Sequence, residues 1–250
     1  MSSEQENIDV IKAFADQIKD SDLLSIVIEG DDDLLVYNEF EDIYDLNDPM
    51  VSVLPVGGRN TVLGTFDLLK DTPHLNKAIF IVDQDTWVIN GIDPQYIHER
   101  IICTHGYSFE NDIFIDGNLK EKMCLRNNEV YSSELPVLLT WYALELDRLE
   151  NGKPLKRLRM DPEHLFNRVS EFTTPDPDQN LPVEKIQDLK EKYPKLMRGK
   201  TLLRFYIRIM NKRDGFSKAY TTKATIENVC EKKGENLKRI FNQVDSLISI

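Results

Sequence analysis

Three features of the sequence predict an α/β fold: a parallel sheet with flanking helices, followed by a mostly α-helical C-terminal part. Short β-rich apolar runs recur at 23–30, 50–58, 77–85 and 100–108. Segments of helical period stand between the early ones, and beyond about residue 130 the pattern is helical throughout. Strands alternating with helices over short connections bury a parallel sheet on both faces, which is why these runs are almost continuously apolar.

The elements follow in order. Ile11, Phe14, Ala15 and Ile18 share one face of a helix over 8–20. "LLSIVIEG" (23–30) is the first strand, and "DDDLLVYNEFEDIYDL" after it carries Val36, Phe40, Ile43 and Tyr44 on one helical face. Asp31, Asp32 and Asp33 stand at the start of that helix, where carboxylates suit its free N–H groups. "MVSVLPVGG" (50–58) is a second strand, "NTVLGTFDLLK" (60–70) a second helix, "KAIFIVDQD" (77–85) a third strand and "RIICTHGYS" (100–108) a fourth. A helix with apolar residues on more than one side runs over 132–150. The Pro-rich "TTPDPDQNLP" (173–182) then separates it from helices near 183–192, 199–212, 223–233 and 236–248. The division expected is a metal-binding α/β domain over 1–130 and a helical region over 131–250.

Of the 250 residues, 41% are hydrophobic and 30% charged, as in an ordinary globular protein. No apolar run approaches the roughly 18 residues of a membrane helix, and "MSSEQENID" lacks the basic and apolar regions of a signal peptide, so a cytoplasmic protein away from membranes is expected. Cys103, Cys124 and Cys230 are odd in number and widely spaced, which suggests neither a disulfide framework nor a zinc cluster. The net charge of −12 is unevenly placed. Residues 1–116 hold 24 acids and 6 bases, leaving 19 acids and 25 bases for the rest, so the halves carry −18 and +6. A metal-binding half joined to a phosphate-gripping half would have this asymmetry, and so would solvated surface charge.

The chemistry concentrates at strand ends. In "IFIVDQDTW" (79–87) an apolar strand runs into Asp83 and Asp85, which point to one face if the strand persists that far, with Gln84 turned away. Two close carboxylates are unfavourable unless water, a proton or a cation relieves the repulsion. A hard divalent cation such as Mg2+ or Mn2+ does so with one or two carboxylates, waters and substrate phosphates. Glu29 ends the first strand. In a 2-1-3 strand order the first and third strands are neighbours, and ligands bind outside their carboxyl ends. A lone DxD is nevertheless common in an acidic chain, and this one is also similar to phosphatase and sugar-nucleotide transferase patterns. In the phosphatase pattern the first aspartate sits on the leading strand and Thr stands two places beyond the second Asp, whereas Thr86 follows Asp85 directly. No GxxxxGK[ST] loop is present to hold a nucleotide. "VGGRN" (56–60) precedes a helix whose N–H groups could face a phosphate, or is simply a turn.

Taken in order, "IVIEGDDDLLVY", "VLPVGGRNTVL", "FIVDQDTW" and "YSFENDIF" resemble a Toprim-like domain, a Rossmann-like α/β fold. They are most similar to the small Toprim proteins encoded beside ABC-type ATPases in bacterial defence. The resemblance covers roughly 22–120, with a weaker echo at "MRGKTLL" (197–203). It implies that Glu29 is the Toprim glutamate, Asp33 the following acidic position, and Asp83 with Asp85 the metal-holding pair. It also implies that Glu110 and Asn111 lie near the same site, with Glu110 either a fourth metal ligand or, with Ser108, a helix-capping residue, since Asp112 and Ile113 depart from the aromatic and leucine usual there. The implied activity is Mg2+-dependent cleavage of nucleic acid, RNA with tRNA as one candidate, by a toxic anti-phage effector. An ABC-type ATPase sensor would control it, with a homodimer as one form of the active protein.

The stretch 195–213, "KLMRGKTLLRFYIRIMNKR", holds seven bases and no acid. Lys200, Arg204, Arg208 and Lys212 recur every four residues as a basic stripe beside the apolar Leu203, Ile207 and Met210. This is a solvated helix surface or a rail for phosphates. On the second reading Lys200 joins Glu29, Asp83 and Asp85 as a catalytic residue, and Lys200, Arg204 and Arg208 bind phosphate. Two other functions fit the same residues: a non-catalytic interaction subunit of an ATPase complex, and a DxD metal-dependent phosphatase.

Overall fold

The computed structural model describes residues 3–46, 49–153, 158, 160–212 and 220–249. It divides into two compact units, Met1–Thr104 with Glu235–Ile250, and His105–Gly234. This partition follows packing, and it differs from a cut at 130/131 because the "SFEN" helix packs with the later helices.

The first unit opens with α1 (Ser3–Asp20), β1 (Leu24–Ile28), α2 (Leu34–Tyr37) and α3 (Glu39–Ile43). It continues with β2 (Val51–Pro55), α4 (Arg59–Leu69), β3 (Ala78–Val82), the single turn α5 (Trp87–Asn90) and β4 (Ile101–Cys103). The four strands are all parallel, in the order β2-β1-β3-β4. The central strands β1 and β3 are buried along their whole length, which is why they read as unbroken apolar runs. Val27, Phe80 and Val82 join Ala15 and Ile18 of α1 and Val62, Leu63 and Phe66 of α4 in one apolar core. Ile26, Ile28, Ile79 and Ile81 alternate to the opposite face and are equally buried.

α1 packs closely on α4 beside Gly64, where an added side chain would push the end of the Ile11 side chain aside. A Cβ on Gly64 would lie 2.7 Å from Cδ1 of Ile11. β2 is an edge strand, and Glu41 of α3 accepts the Val53 N–H at 2.7 Å, covering part of the edge that could otherwise pair with another chain.

The second unit contains α6 (Phe109–Asp116), α7 (Leu125–Glu150), α8 (Pro162–Asn167), α9 (Val169–Thr173), α10 (Val183–Leu196), α11 (Gly199–Met210) and α12 (Thr222–Cys230). On α7, Leu138, Leu139, Trp141, Tyr142, Ala143 and Leu144 are all buried, so this helix is packed on more than one side, as its dense apolar sequence predicts. α6 packs against α10, α11 and α12. The last helix, α13 (Glu235–Ile248), belongs to the first unit. There Phe241 stacks on Phe40 of α3 with ring centroids 4.2 Å apart, and Asp245 accepts the Tyr44 hydroxyl at 2.7 Å. No helix among the described residues is long and apolar enough to cross a membrane.

Candidate functional site

The strand order places β1 beside β3, as a 2-1-3 arrangement requires, with Val27 level with Phe80. Glu29 and Asp83, each the first residue after its strand, therefore emerge side by side. The Asp83 backbone N–H donates to Oε1 of Glu29 at 3.0 Å, so the acidic side chain of one strand end is tied to the backbone of the other. After Glu29 the chain turns through Gly30, whose N–H donates to the buried Asp33 carboxylate at 2.8 Å. Asp33, the position matching the second acidic residue of the Toprim pattern, thus shapes the turn that follows Glu29.

The expectation that a continuing strand aligns Asp83 with Asp85 is corrected. β3 ends at Val82, and Asp85 sits in a left-handed conformation with φ of 47°. A positive φ is uncommon outside glycine, with Asp and Asn among the tolerant residues, and Asp85 lies in a turn closed by the Trp87 N–H on the Gln84 carbonyl, beyond the end of the strand. Gln84 faces β4: its N–H meets the Thr104 hydroxyl at 3.2 Å and its side-chain amide donates to the Thr104 carbonyl at 2.7 Å.

Burial pushes the Glu29 carboxyl up to about 8, and the nearby Asp85 and Asp33 charges add to the shift, against the Asp83 N–H and Arg59, which favour the ionised form. Negative charge is thus incompletely compensated around Glu29. Glu29, Asp83 and Asp85 supply only oxygen donors, the set a hard divalent cation prefers, and in this chemical sense they fit one. They are not drawn together in advance: among the described residues no group of three or more His, Cys, Asp or Glu side chains is gathered as a metal would need.

Arg59 supplies positive charge here. It opens α4 after Gly57 and Gly58, whose φ angles of 87° and 134° need glycine. Its Nη1 donates to the carbonyls of Asp83 at 2.9 Å and Gln84 at 2.6 Å and lies 3.5 Å from Oδ2 of Asp85. The guanidinium carbon lies 3.7 Å from the centroid of the Trp87 ring. The sequence signal for this residue was its place in "VGGRN", but nothing in that string names its partners 24 to 28 positions away. Cys103 also borders this end of the sheet. Burial pushes its thiol up, while Arg59 and Arg239 oppose the shift.

In the second unit Ser108 caps α6. Its N–H donates to the Asn111 side-chain oxygen at 3.0 Å and its hydroxyl donates to Glu110. Asn111 in turn donates to the carbonyls of Pro194 and Met197, each at 2.8 Å. Glu110 is only 3% exposed; burial raises its proton affinity, opposed by the Ser108 hydroxyl and by the positive charges of Lys200 and Arg198. Asp112 is fully buried and accepts the N–H groups of His105 and Gly106, both at 2.9 Å.

Tertiary packing brings "RGK" against "SFEN". A Cβ on Gly199 would stand 2.2 Å from the Ser108 hydroxyl and 2.6 Å from Oδ1 of Asn111, so only glycine permits this approach. The rest of the basic stripe is engaged within its own unit. Arg208 pairs with Glu134 and, at 2.7 Å, with Glu163, and stacks over Phe166 at 4.1 Å. Lys212 also pairs with Glu134, Arg204 lies 3.5 Å from Asp161, and Arg213 lies outside the described residues. Arg208 is thus engaged by two acidic side chains and the Phe166 ring.

No protein-family model matches this chain, and no curated protein matches it either.

Proposed function

We propose that the chain is a Toprim-like, divalent-cation-dependent endonuclease of nucleic acid, with RNA, including tRNA, as the favoured substrate, acting as a toxic anti-phage effector under an ABC-type ATPase partner. The observation that carries this reading is the Glu29–Asp83 bond between the carboxyl ends of adjacent parallel strands, with Asp85 close enough to raise the Glu29 proton affinity. The strand ends beside such a junction are where open α/β sheets take ligands. Glu29, Asp83 and Asp85 would hold Mg2+ or Mn2+, whose chemistry when bound is activation of a water and compensation of charge on the scissile phosphate. Asp33 holds the Gly30 turn so that Glu29 keeps its orientation. Lys200 and Arg204 contribute positive charge toward the nucleic-acid backbone, and Glu110 acts through Ser108 and Lys200 rather than as a fourth ligand. RNA in preference to DNA, the ATPase and an active homodimer rest on the family resemblance.

A second reading, a non-catalytic interaction subunit of the same ATPase, draws support from the carboxylates' lack of a pre-gathered ligand group among the described residues and from the pairing of Asp85 with Arg59. A DxD phosphatase has less support, since β3 ends at Val82, before Asp83, and Asp85 sits at positive φ in the turn that follows. The test incubates wild type and Glu29→Ala with total RNA, tRNA and plasmid DNA, with Mg2+ or EDTA, in the presence and absence of the neighbouring ATPase. The nuclease reading expects RNA cleavage that needs Mg2+ and disappears in Glu29→Ala while the complex still assembles. Toxicity that survives Glu29→Ala supports the interaction subunit, and turnover of a simple phosphomonoester without nucleic-acid cleavage supports the phosphatase.

A further inference from the structure

Arg59 is held in two ways of unequal strength. Its Nη1 meets two backbone carbonyls at 2.9 and 2.6 Å, and its plane covers Trp87. These contacts fix the guanidinium, whose side chain is 15% exposed. The approach to Asp85 is longer, 3.5 Å, and that carboxylate is 40% exposed. An ion pair of this separation and exposure is weak and readily exchanged, whereas two carbonyl bonds and an aromatic face anchor the cation in place.

Charge decides what such an arrangement can do. Glu29, Asp33 and Asp85 repel one another, and Arg59 is the opposing cation among the groups acting on Glu29. If Asp85 turns toward a divalent cation, Arg59 loses one negative neighbour but keeps its backbone anchors. The guanidinium then presents fixed donors to an anionic oxygen, and its fork geometry suits a phosphate better than an ammonium would.

We propose that Arg59 couples cation binding to phosphate binding: it neutralises Asp85 until a divalent cation engages that carboxylate, and then donates to an oxygen of the substrate phosphodiester while remaining anchored on the Asp83 and Gln84 carbonyls and on Trp87. The inference rests on the acidic strand ends being the cation site. It makes Arg59 a substrate-contacting residue and orders the events, cation first and phosphate second. Trp87 reports the change, since the cation above its ring exchanges one charged partner for another.

The experiment uses the full-length chain carrying Trp141→Phe, which leaves Trp87 as the one tryptophan. Mn2+ alone is titrated first, by calorimetry and by Trp87 fluorescence, and inorganic phosphate is then titrated into the Mn2+-loaded protein. The expected result is a Trp87 signal on adding Mn2+, and phosphate affinity at least tenfold higher with Mn2+ than in EDTA. In Arg59→Ala, Mn2+ should bind several-fold more tightly, because a competing positive charge is gone, while the phosphate response is lost. Arg59→Lys retains the charge without the fork, and should leave Mn2+ affinity near wild type while still weakening phosphate about tenfold. Mn2+ binding and phosphate binding both unchanged in Arg59→Ala and Arg59→Lys would overturn the proposal and leave the cation site standing. Failure of the wild-type chain to bind Mn2+ would overturn the cation site and the proposal together.

Discussion

The Asp83 N–H donates to Glu29 Oε1 at 3.0 Å, and through this one bond the carboxyl ends of β1 and β3 share a half-buried acid. The bond favours the ionised acid, but burial and the nearby Asp85 and Asp33 charges outweigh it, so the carboxyl holds its proton near neutrality.

The Glu29 carboxyl titrates near 8 in the folded chain because burial, with Asp85 and Asp33 nearby, opposes ionisation. A carboxyl whose folded pKa is raised binds its proton more tightly folded than unfolded, so its contribution to stability is fully present at low pH. That contribution declines as pH climbs from the unfolded value, about 4.5, to about 8, and then levels off. In EDTA, wild type should lose stability across this window relative to Glu29→Gln, and between low pH and pH 8 the variant's relative stability should rise by roughly 4 kcal/mol. Thermal melts of both proteins from pH 5 to 9 check this; parallel curves would show that Glu29 titrates normally. Cation affinity, measured by calorimetry, should rise over the same pH range, since binding displaces the Glu29 proton.

Gly199→Ala should destabilise the second unit by about 1–3 kcal/mol, the range for forcing a methyl into a filled space. The added carbon would meet the Ser108 hydroxyl at 2.2 Å and the Asn111 side-chain oxygen at 2.6 Å. Denaturant unfolding of the full chain measures the loss. Adding Ser108→Ala should restore only part of it, because Asn111 remains in the way.

Arg208→Ala should lower stability by on the order of 1–2 kcal/mol, through lost charge-assisted hydrogen bonds and lost packing on Phe166. It should leave the salt dependence of RNA affinity unchanged. Lys200→Ala should instead reduce the slope of log affinity against log salt by about 0.7, the loss of one single-strand phosphate contact. Equal slope changes for the two variants would return Arg208 to the phosphate surface.

Phe80→Ala should cost about 3–5 kcal/mol. The ring is fully buried at the centre of β3 and meets Phe66 edge-on at a centroid distance of 5.5 Å. Urea titration gives the value, and Phe80→Leu, which refills most of the volume, should recover more than half of it.

Much of the fold was legible in advance. Each of the four apolar runs became a strand, and the helical segments after residue 183 appear at nearly the expected places, because side-chain period and punctuation by Gly and Pro are local properties. Even the adjacency of β1 and β3 was accessible, since few orders suit a parallel sheet built from short connections. The site was legible less evenly. Glu29 and Asp83 could be placed because each follows directly on its strand. Asp85 could not, because the strand stops at Val82, three residues before it, and Asp85 itself takes a positive φ.

The sequence by itself determined which residues form strands and helices, which strand ends carry carboxylates, and where the bases concentrate, all consequences of periodicity and composition over short spans. Only the tertiary structure decided what those charges meet. It set Arg59 on the Asp83 and Gln84 carbonyls, closed Arg208 between Glu134 and Glu163, and brought Gly199 against Ser108. Those pairings join residues far apart in the chain, and the packing of helices on the sheet and on one another brings them together. No local rule of spacing encodes that distance.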